Sequence, residues 1–198
     1  MKKYVINLLT SKDRLEAVSK EFDRVGLEVE VVIPLPATKI PNTNNESWSK
    51  GAMSLRETTI SIIEKALSDN EEMIMIFEDD TYIRDDIWKQ FQKDFDLFSK
   101  KIEFNFIHLN HSAGERFSMQ SSYNFQMTYD GVECCQCYII HKRIMKTFLE
   151  HLKANIVPID VITKYLHSKF KNSFVYSPCP VYHKPNQYST IRNKIVDY

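Results

Sequence analysis

Glycine is scarce in this chain of 198 residues: there are four. None falls in a GxGxxG or GxxxxGK pattern, so the phosphate-cradling loops of dinucleotide enzymes and P-loop NTPases are excluded. Cysteine is equally sparse. Cys134, Cys135, Cys137 and Cys179 make neither a CxxC pair nor the framework of a small secreted domain. Three of them lie in one strand-like run, where neighbours point to opposite faces and only Cys135 and Cys137 share a direction. Buried structural thiols in a reducing, cytoplasmic compartment are expected, rather than a zinc site. No apolar run approaches the roughly 20 residues of a membrane span, and the apolar part of MKKYVINLLT is too short for a signal peptide. Net charge is missing too, with 26 basic and 26 acidic side chains. That removes the electrostatic footprint of a nucleic-acid partner.

What is present is a foldable core and a hidden asymmetry. Apolar residues are 43% and aromatics 12%, which excludes disorder. The length suits one domain. Residues 1–100 carry 14 basic and 19 acidic side chains, whereas residues 101–198 carry 12 and 7.

The hydrophobic pattern alternates between strand and helix. Tyr4–Leu8 reads as a first strand. Leu15, Val18, Phe22 and Val25 follow at helical spacing, with Gly26 placed to cap. Leu27–Ile33 reads as a second strand, and the Pro-, Asn- and Ser-rich stretch 34–50 as a loop. Ser54-Leu-Arg-Glu57 has a capping-box pattern and predicts a helix with Ser54 at its N-cap. Met73–Phe77 is uninterrupted and apolar, as for a strand buried on both faces. Asp85 or Asp86 opens a helix with Ile87, Phe91, Phe95 and Phe98 inward. Phe104–Leu109 is a strand. Residues 110–131 are polar and irregular, with a short strand at Tyr123–Tyr129. Cys134–Ile140 is a strand, and a helix bearing Ile144, Met145, Phe148, Leu149 and Leu152 follows. Pro158-Ile-Asp160 leads into a last helix to about Phe170, where Asp160 reads as an ordinary N-cap. The tail from Phe174 mixes short strands with turns. This alternation indicates an α/β sandwich.

The buried strand ends abruptly in Glu78, Asp79 and Asp80. In α/β sheets, ligands bind beyond the carboxyl ends of the strands. Adjacent carboxylates repel, and holding them ionised takes a cation or hydrogen bonds. On extended backbone, residues two apart share a face, so Glu78 and Asp80 are expected to converge on one ion. Oxygen ligands favour Mg²⁺ or Mn²⁺, with one or two carboxylates meeting substrate phosphates. The plain alternative is a solvated acidic turn.

Six segments in chain order carry a family resemblance. They are Val5-Ile6-Asn7-Leu8 with Asp13-Arg14, Gly51-Ala-Met-Ser54, Ile76-Phe-Glu78-Asp79-Asp80, Cys137-Tyr138-Ile-Ile140, Pro158-Ile159-Asp160, and Gln187-Tyr-Ser189-Thr-Ile191. In these the chain resembles glycosyltransferase family 25, the lipooligosaccharide galactosyltransferase-like proteins related to collagen galactosyltransferases. The resemblance implies a GT-A-like (Rossmann-like) α/β/α nucleotide-sugar-binding domain with a mixed central sheet. It would span residues 1–198, with 1–110 as the donor and metal half and 111–198 as the acceptor side and tail. It implies inverting transfer of a hexose, galactose by default, from a UDP-sugar to a glycan or lipooligosaccharide hydroxyl. Such an acceptor implies peripheral contact with the inner membrane.

By the same resemblance, Asn7, Leu8, Arg14, Ser54, Asp79, Gln187 and Ser189 would contact the donor. Glu78, Asp80 and His183 would hold Mn²⁺ or Mg²⁺, and Asp160 would be the general base. Read as residues alone, Arg14 also suits a solvated first helical turn, and His183 a structural role. Lys184, Arg192 and Lys194 are either diphosphate contacts or solvated surface. The chain departs from the family at Leu55, where the family usually has His, and in the short stretch 110–131. Those departures motivate the alternative of a degenerate, non-catalytic sugar-nucleotide-binding domain.

Overall fold

The computed structural model describes residues 1–7, 11–34, 50–110, 117–120, 123–128, 132, 136–155, 157–183, 187–189 and 194–196. Leu8, Cys134, Cys135, Lys184 and Arg192 lie outside these residues. So do the side chains of Gln187, Ser189 and Lys194.

Strand β1 (Lys2–Ile6) leads into helix α1 (Lys12–Arg24), which buries Val18 and Phe22. The helix stops where the sequence says it should. Gly26 takes φ +66°, the Leu27 N–H donates to the Phe22 carbonyl at 2.8 Å and the Gly26 N–H to Asp23 at 3.1 Å. This is a Schellman closure, and it needs a residue that tolerates the left-handed region. Strand β2 (Glu30–Val32) is shorter than its β-branched run suggested. Helix α2 (Lys50–Ser68) precedes β3 (Met73–Glu78), and β4 (Thr81–Ile83) follows after a two-residue turn at Asp79 and Asp80. Helix α3 (Asp85–Lys101) carries Asp85 and Asp86 in its first turn and buries Trp88, Phe91 and Phe98. Next come β5 (Phe106–His108), β6 (Phe117–Gln120), β7 (Phe125–Thr128), β8 (Cys137–His141) and α4 (Lys142–Ala154). Helix α5 (Ile159–Lys169) is followed by β9 (Ser173–Tyr176), β10 (Val181–His183), β11 (Gln187–Ser189) and β12 (Lys194–Val196).

Eight strands form the central sheet in the order β2-β1-β3-β8-β5-β9-β7-β6. Strands β2, β1 and β3 run parallel, β8 is antiparallel to both β3 and β5, and β5 and β9 are again parallel. The sheet is therefore mixed, as expected. Helices α1 and α3 pack on one face through Val18, Phe22, Trp88, Phe91 and Phe98. Helices α2, α4 and α5 cover the other through Ile62, Ile63, Met145, Phe148, Ile159 and Leu166. Both faces are covered, which is why β3 reads as an unbroken apolar run.

Connections around β1 position the site. The chain leaves β1 through α1 on one face to reach β2. It then returns through α2 on the opposite face to reach β3, on the other side of β1. That reversal is a topological switch point, and a crevice opens beyond the carboxyl ends of β1 and β3. Asn7 and the Glu78-Asp79-Asp80 motif lie there.

Three expectations need correction. Ser54 is not an N-cap: α2 begins at Lys50, so Ser54 lies within its first turns, buried, and its carbonyl accepts from Thr58 Oγ1 at 2.7 Å. Asp160 is not an N-cap either, because Pro158 occupies that position and Asp160 is in the first turn. Residues 117–120 form a strand inside the stretch read as irregular, paired with β7 through a register shift between Phe117 and Met119.

Candidate functional site

The acidic motif does not stay extended. Glu78 is the last residue of β3, pairs in register with Ile6, and shares the face of Ile74 and Ile76. That face belongs to α2, α4 and α5. Asp79 and Asp80 then sit in a turn, so the alternation that would aim Glu78 and Asp80 at one point breaks. Each of the three carboxylates meets a different environment.

Asp79 is buried and faces the end of β1 and the start of α1. Asn7 Nδ2 donates to its Oδ2 at 2.7 Å and also to the Ser11 carbonyl at 3.1 Å. The Arg14 guanidinium pairs with its Oδ1 through Nη2. Burial pushes the Asp79 carboxyl up to about 6, against the opposing pull of Arg14 and the Asn7 hydrogen bond.

Asp80 turns toward the β4–β10 ribbon. The same Arg14 Nη2 lies 3.2 Å from its Oδ2, so one guanidinium nitrogen serves two carboxylates. Thr81 pairs with His183 in the ribbon, which brings His183 Nδ1 to 3.5 Å from Asp80 Oδ2. Gln136 Nε2 donates to Asp80 Oδ1 at 3.1 Å. Burial alone raises the Asp80 carboxyl, but its charged and hydrogen-bonding neighbours, Arg14 and Gln136 among them, hold it below the usual carboxylate value.

Glu78 is shifted the other way. Burial, followed by the charges of Asp80, Asp160 and Asp79, pushes its carboxyl well above the ordinary range, with Arg14 the opposing charge. The influence of Asp160 follows from the fold: the first turn of α5 lies on the face toward which Glu78 points.

The structure thus brings Asn7, Arg14, Asp79, Asp80 and His183 into one hydrogen-bonded and ion-paired group. Glu78 and Asp160 adjoin it electrostatically. Ser54 is buried in α2. Gln187 and Ser189 lie on β11, in a separate two-stranded sheet with β12. A small cleft of about 30 Å³, lined by Ala17, Glu21, Asp79, Asp80 and Tyr82 among others, opens beside the motif on the α1 side.

The sequence profile of glycosyltransferase family 25 (LPS biosynthesis protein) matches residues 1–163. The chain belongs to glycosyltransferase family 25. No curated protein sequence matches it. Among solved structures, A197 from STIV is similar at 13% identity and a TM-score of 0.49, covering 100% of this chain and 95% of that one. A glycosyltransferase involved in glycosylation of the major capsid of PBCV-1 is similar at 11% identity and a TM-score of 0.46, covering 90% and 83%. These likenesses carry no functional weight here.

For a family member, the donor chemistry of the motif can be tested against a divalent ion. Among the described residues, no three His, Cys, Asp or Glu side chains are gathered as a ligand group. Asp80 and His183 nevertheless form a pair. Two ligands of one ion with bonds of about 2.1 Å lie roughly 3.0–3.5 Å apart, so the 3.5 Å between Nδ1 and Oδ2 fits. One carboxylate oxygen and one imidazole suit Mn²⁺ or Mg²⁺ that also binds substrate phosphates.

Two residues of this group escaped the sequence reading. Gln136 and Asn110 are both buried, and Asn110 Nδ2 donates to Gln136 Oε1. Neither carries a periodic or motif signal. Only the adjacency of β5 and β8 brings them together.

Proposed function

We propose that the protein is a metal-dependent, inverting hexosyltransferase of the cytoplasm that moves galactose from UDP-galactose to a hydroxyl of a cell-surface glycan such as lipooligosaccharide. The observation that supports this most is the charge pattern at the β1–β3 switch point. Among the described residues, Arg14 pairs with Asp79 and Asp80 and its charge acts on Glu78, in a member of a glycosyltransferase family.

Each residue has a chemical role in this reading. Asn7 and Arg14, with Asp79 held between them, would contact the donor, a role the family resemblance implies also for Leu8, Ser54, Gln187 and Ser189. Asp80 and His183 would hold Mn²⁺ or Mg²⁺, and a cation bound there would favour the ionised form of Glu78 beside them. The ion supplies Lewis-acid stabilisation of the leaving diphosphate. Asp160 takes the proton of the acceptor hydroxyl as its oxygen bonds to the anomeric carbon. The bond from that carbon to the diphosphate oxygen breaks, and its electron pair leaves with UDP. Peripheral contact with the inner membrane serves a lipid-linked acceptor. Among the described residues no helix is long and apolar enough to cross a membrane.

Leu55 motivates a second reading. It packs as a partly buried residue against the core cluster beneath α2, α4 and α5, where the family usually carries His. A degenerate domain that binds the donor without turning it over follows from that loss. A screen of UDP-sugars against a panel of glycan acceptors, read by UDP release, separates the two. Acceptor-dependent release with UDP-galactose is expected, and tight donor binding without release supports the degenerate domain.

A further inference from the structure

We propose that Gln136, locked by Asn110, is the positioning residue that holds Asp80 and His183 as one cation-facing pair. This rests on the metal reading above, but the geometry that carries it belongs to neutral side chains outside the acidic motif. Gln136 is 1% exposed and immediately precedes β8. Its backbone is pinned between two neighbouring strands: the Glu78 N–H donates to the Gln136 carbonyl at 2.9 Å, and the Leu109 N–H donates to the Cys137 carbonyl at 3.0 Å. The second bond extends the β5–β8 ladder and sets Asn110 beside Gln136.

The orientation of the amide is forced. Gln136 Oε1 accepts from Asn110 Nδ2. Gln136 Nε2 lies 3.2 Å from the Asp80 carbonyl, 3.1 Å from Asp80 Oδ1 and 2.8 Å from His183 Nδ1. Turning the amide over would set its oxygen against the Asp80 carboxylate and carbonyl, three acceptors with no proton between them. With Nε2 inward, one proton serves the two Asp80 oxygens and the other serves His183 Nδ1.

Two consequences follow. Asp80 Oδ1 is occupied by a buried donor, so Oδ2 is the oxygen presented toward His183 and Arg14. His183 Nδ1 is an acceptor, so its ring proton is on Nε2. The second amide proton leaves Nδ1 when a cation takes that lone pair, while the first stays on Asp80. Partners that orient metal ligands in this way typically change metal affinity by about 10–100-fold when removed.

The test uses the full chain and two independent readouts. Mn²⁺ titration in the presence of UDP is compared in wild type, Gln136→Leu and Asn110→Leu, with UDP titration in EDTA as a control on folding and on the nucleotide pocket. Gln136→Leu is expected to weaken Mn²⁺ binding by about 10–100-fold. Asn110→Leu is expected to weaken it less, and UDP affinity in EDTA should be unchanged. Nitrogen-15 imidazole shifts of the metal-free wild type, assigned with His183→Asn, are expected to show the Nε2–H tautomer at His183. Mn²⁺ affinity in Gln136→Leu within twofold of wild type, or tighter, overturns the proposal. So does an Nδ1–H tautomer at His183. Wild type that binds no Mn²⁺ overturns the metal reading, and the tautomer then still decides whether Gln136 holds His183.

Discussion

Asp94 and the Glu78-Asp79-Asp80 motif are both buried acids, and the chain treats them differently. Asp94, on α3, accepts from Tyr176 Oη at 2.7 Å, Asn124 Nδ2 at 2.8 Å and Gln90 Nε2 at 2.9 Å. Neutral donors thus meet both oxygens, and the bonds tie α3 to β9 and to the turn ahead of β7. Burial and then Asp94 push the Tyr176 phenol far above its ordinary value, so it stays a donor. At the β1–β3 edge, the Arg14 guanidinium stands against Asp79 and Asp80, and Asp160 acts on the adjoining Glu78. A carboxylate satisfied by neutral donors is a strut. Carboxylates crowded against one another raise each other's proton affinity, and such groups cluster at functional sites.

The largest effect that sharpens this comparison is on catalysis. Asp160→Asn is expected to keep UDP binding and lower transfer by about 10²–10⁴-fold, the usual range for a general base. Retained turnover would eliminate Asp160 from that role. The strut is tested by stability. Asp94→Ala leaves the Tyr176 hydroxyl buried without its acceptor and is expected to cost about 3 kcal/mol. At this chain length that lowers the thermal midpoint by about 6–12 °C. A midpoint within 2 °C of wild type would contradict it.

His167 provides an intermediate case, a buried titratable group beside a second buried histidine. Its Nε2 lies 3.1 Å from His108 Nε2, and its Nδ1 is buried without a hydrogen-bond partner. Burial, then His108, push its basicity well below the normal 6.5. The unfolded chain therefore takes up a proton that the folded one refuses, and stability falls as pH drops below 6.5. The slope is up to about 1.4 kcal/mol per pH unit for one proton. Denaturant titrations of wild type and His167→Leu between pH 7.5 and 5.5 should show a shallower slope in the variant. Equal slopes would refute the assignment. The smallest effect belongs to Glu78. Its ionised form is disfavoured in the fold, so Glu78→Gln should raise the midpoint at pH 7 by about 2–4 °C, equivalent to roughly 1 kcal/mol. It should also weaken metal-dependent UDP binding. A lower midpoint would mean that Glu78 is a strut like Asp94.

Much of the scaffold was legible because its signals are local. The Leu15, Val18 and Phe22 stripe and Gly26 define α1 and its end. The Met73–Phe77 run locates a strand covered on both faces, and the acidic motif marks its carboxyl end. Ser54 misled because a Ser-x-x-Glu pattern inside a helix looks the same as one at its start. The pairing of Arg56 with Glu57, and of the Arg56 guanidinium with the carbonyls of Leu152 and Asn155, takes this segment into tertiary contacts. A turn begins at Asp79 and breaks the alternation on which the convergence of Glu78 and Asp80 was expected, although the two carboxyls still act on each other. His183 reaches Asp80 only through the β4–β10 pairing, and Gln136 meets Asn110 only across β5 and β8. Contacts at such sequence separations leave no periodicity to read.

The most direct test of metal-assisted donor binding at the β1–β3 edge is calorimetric titration of the wild-type chain with UDP, in Mn²⁺ and in EDTA. Binding in Mn²⁺ at least about tenfold tighter than in EDTA is predicted, a difference of about 1.4 kcal/mol. Equal affinity in both would remove the metal from donor binding, and no binding in either would contradict the assignment of this edge as the donor site.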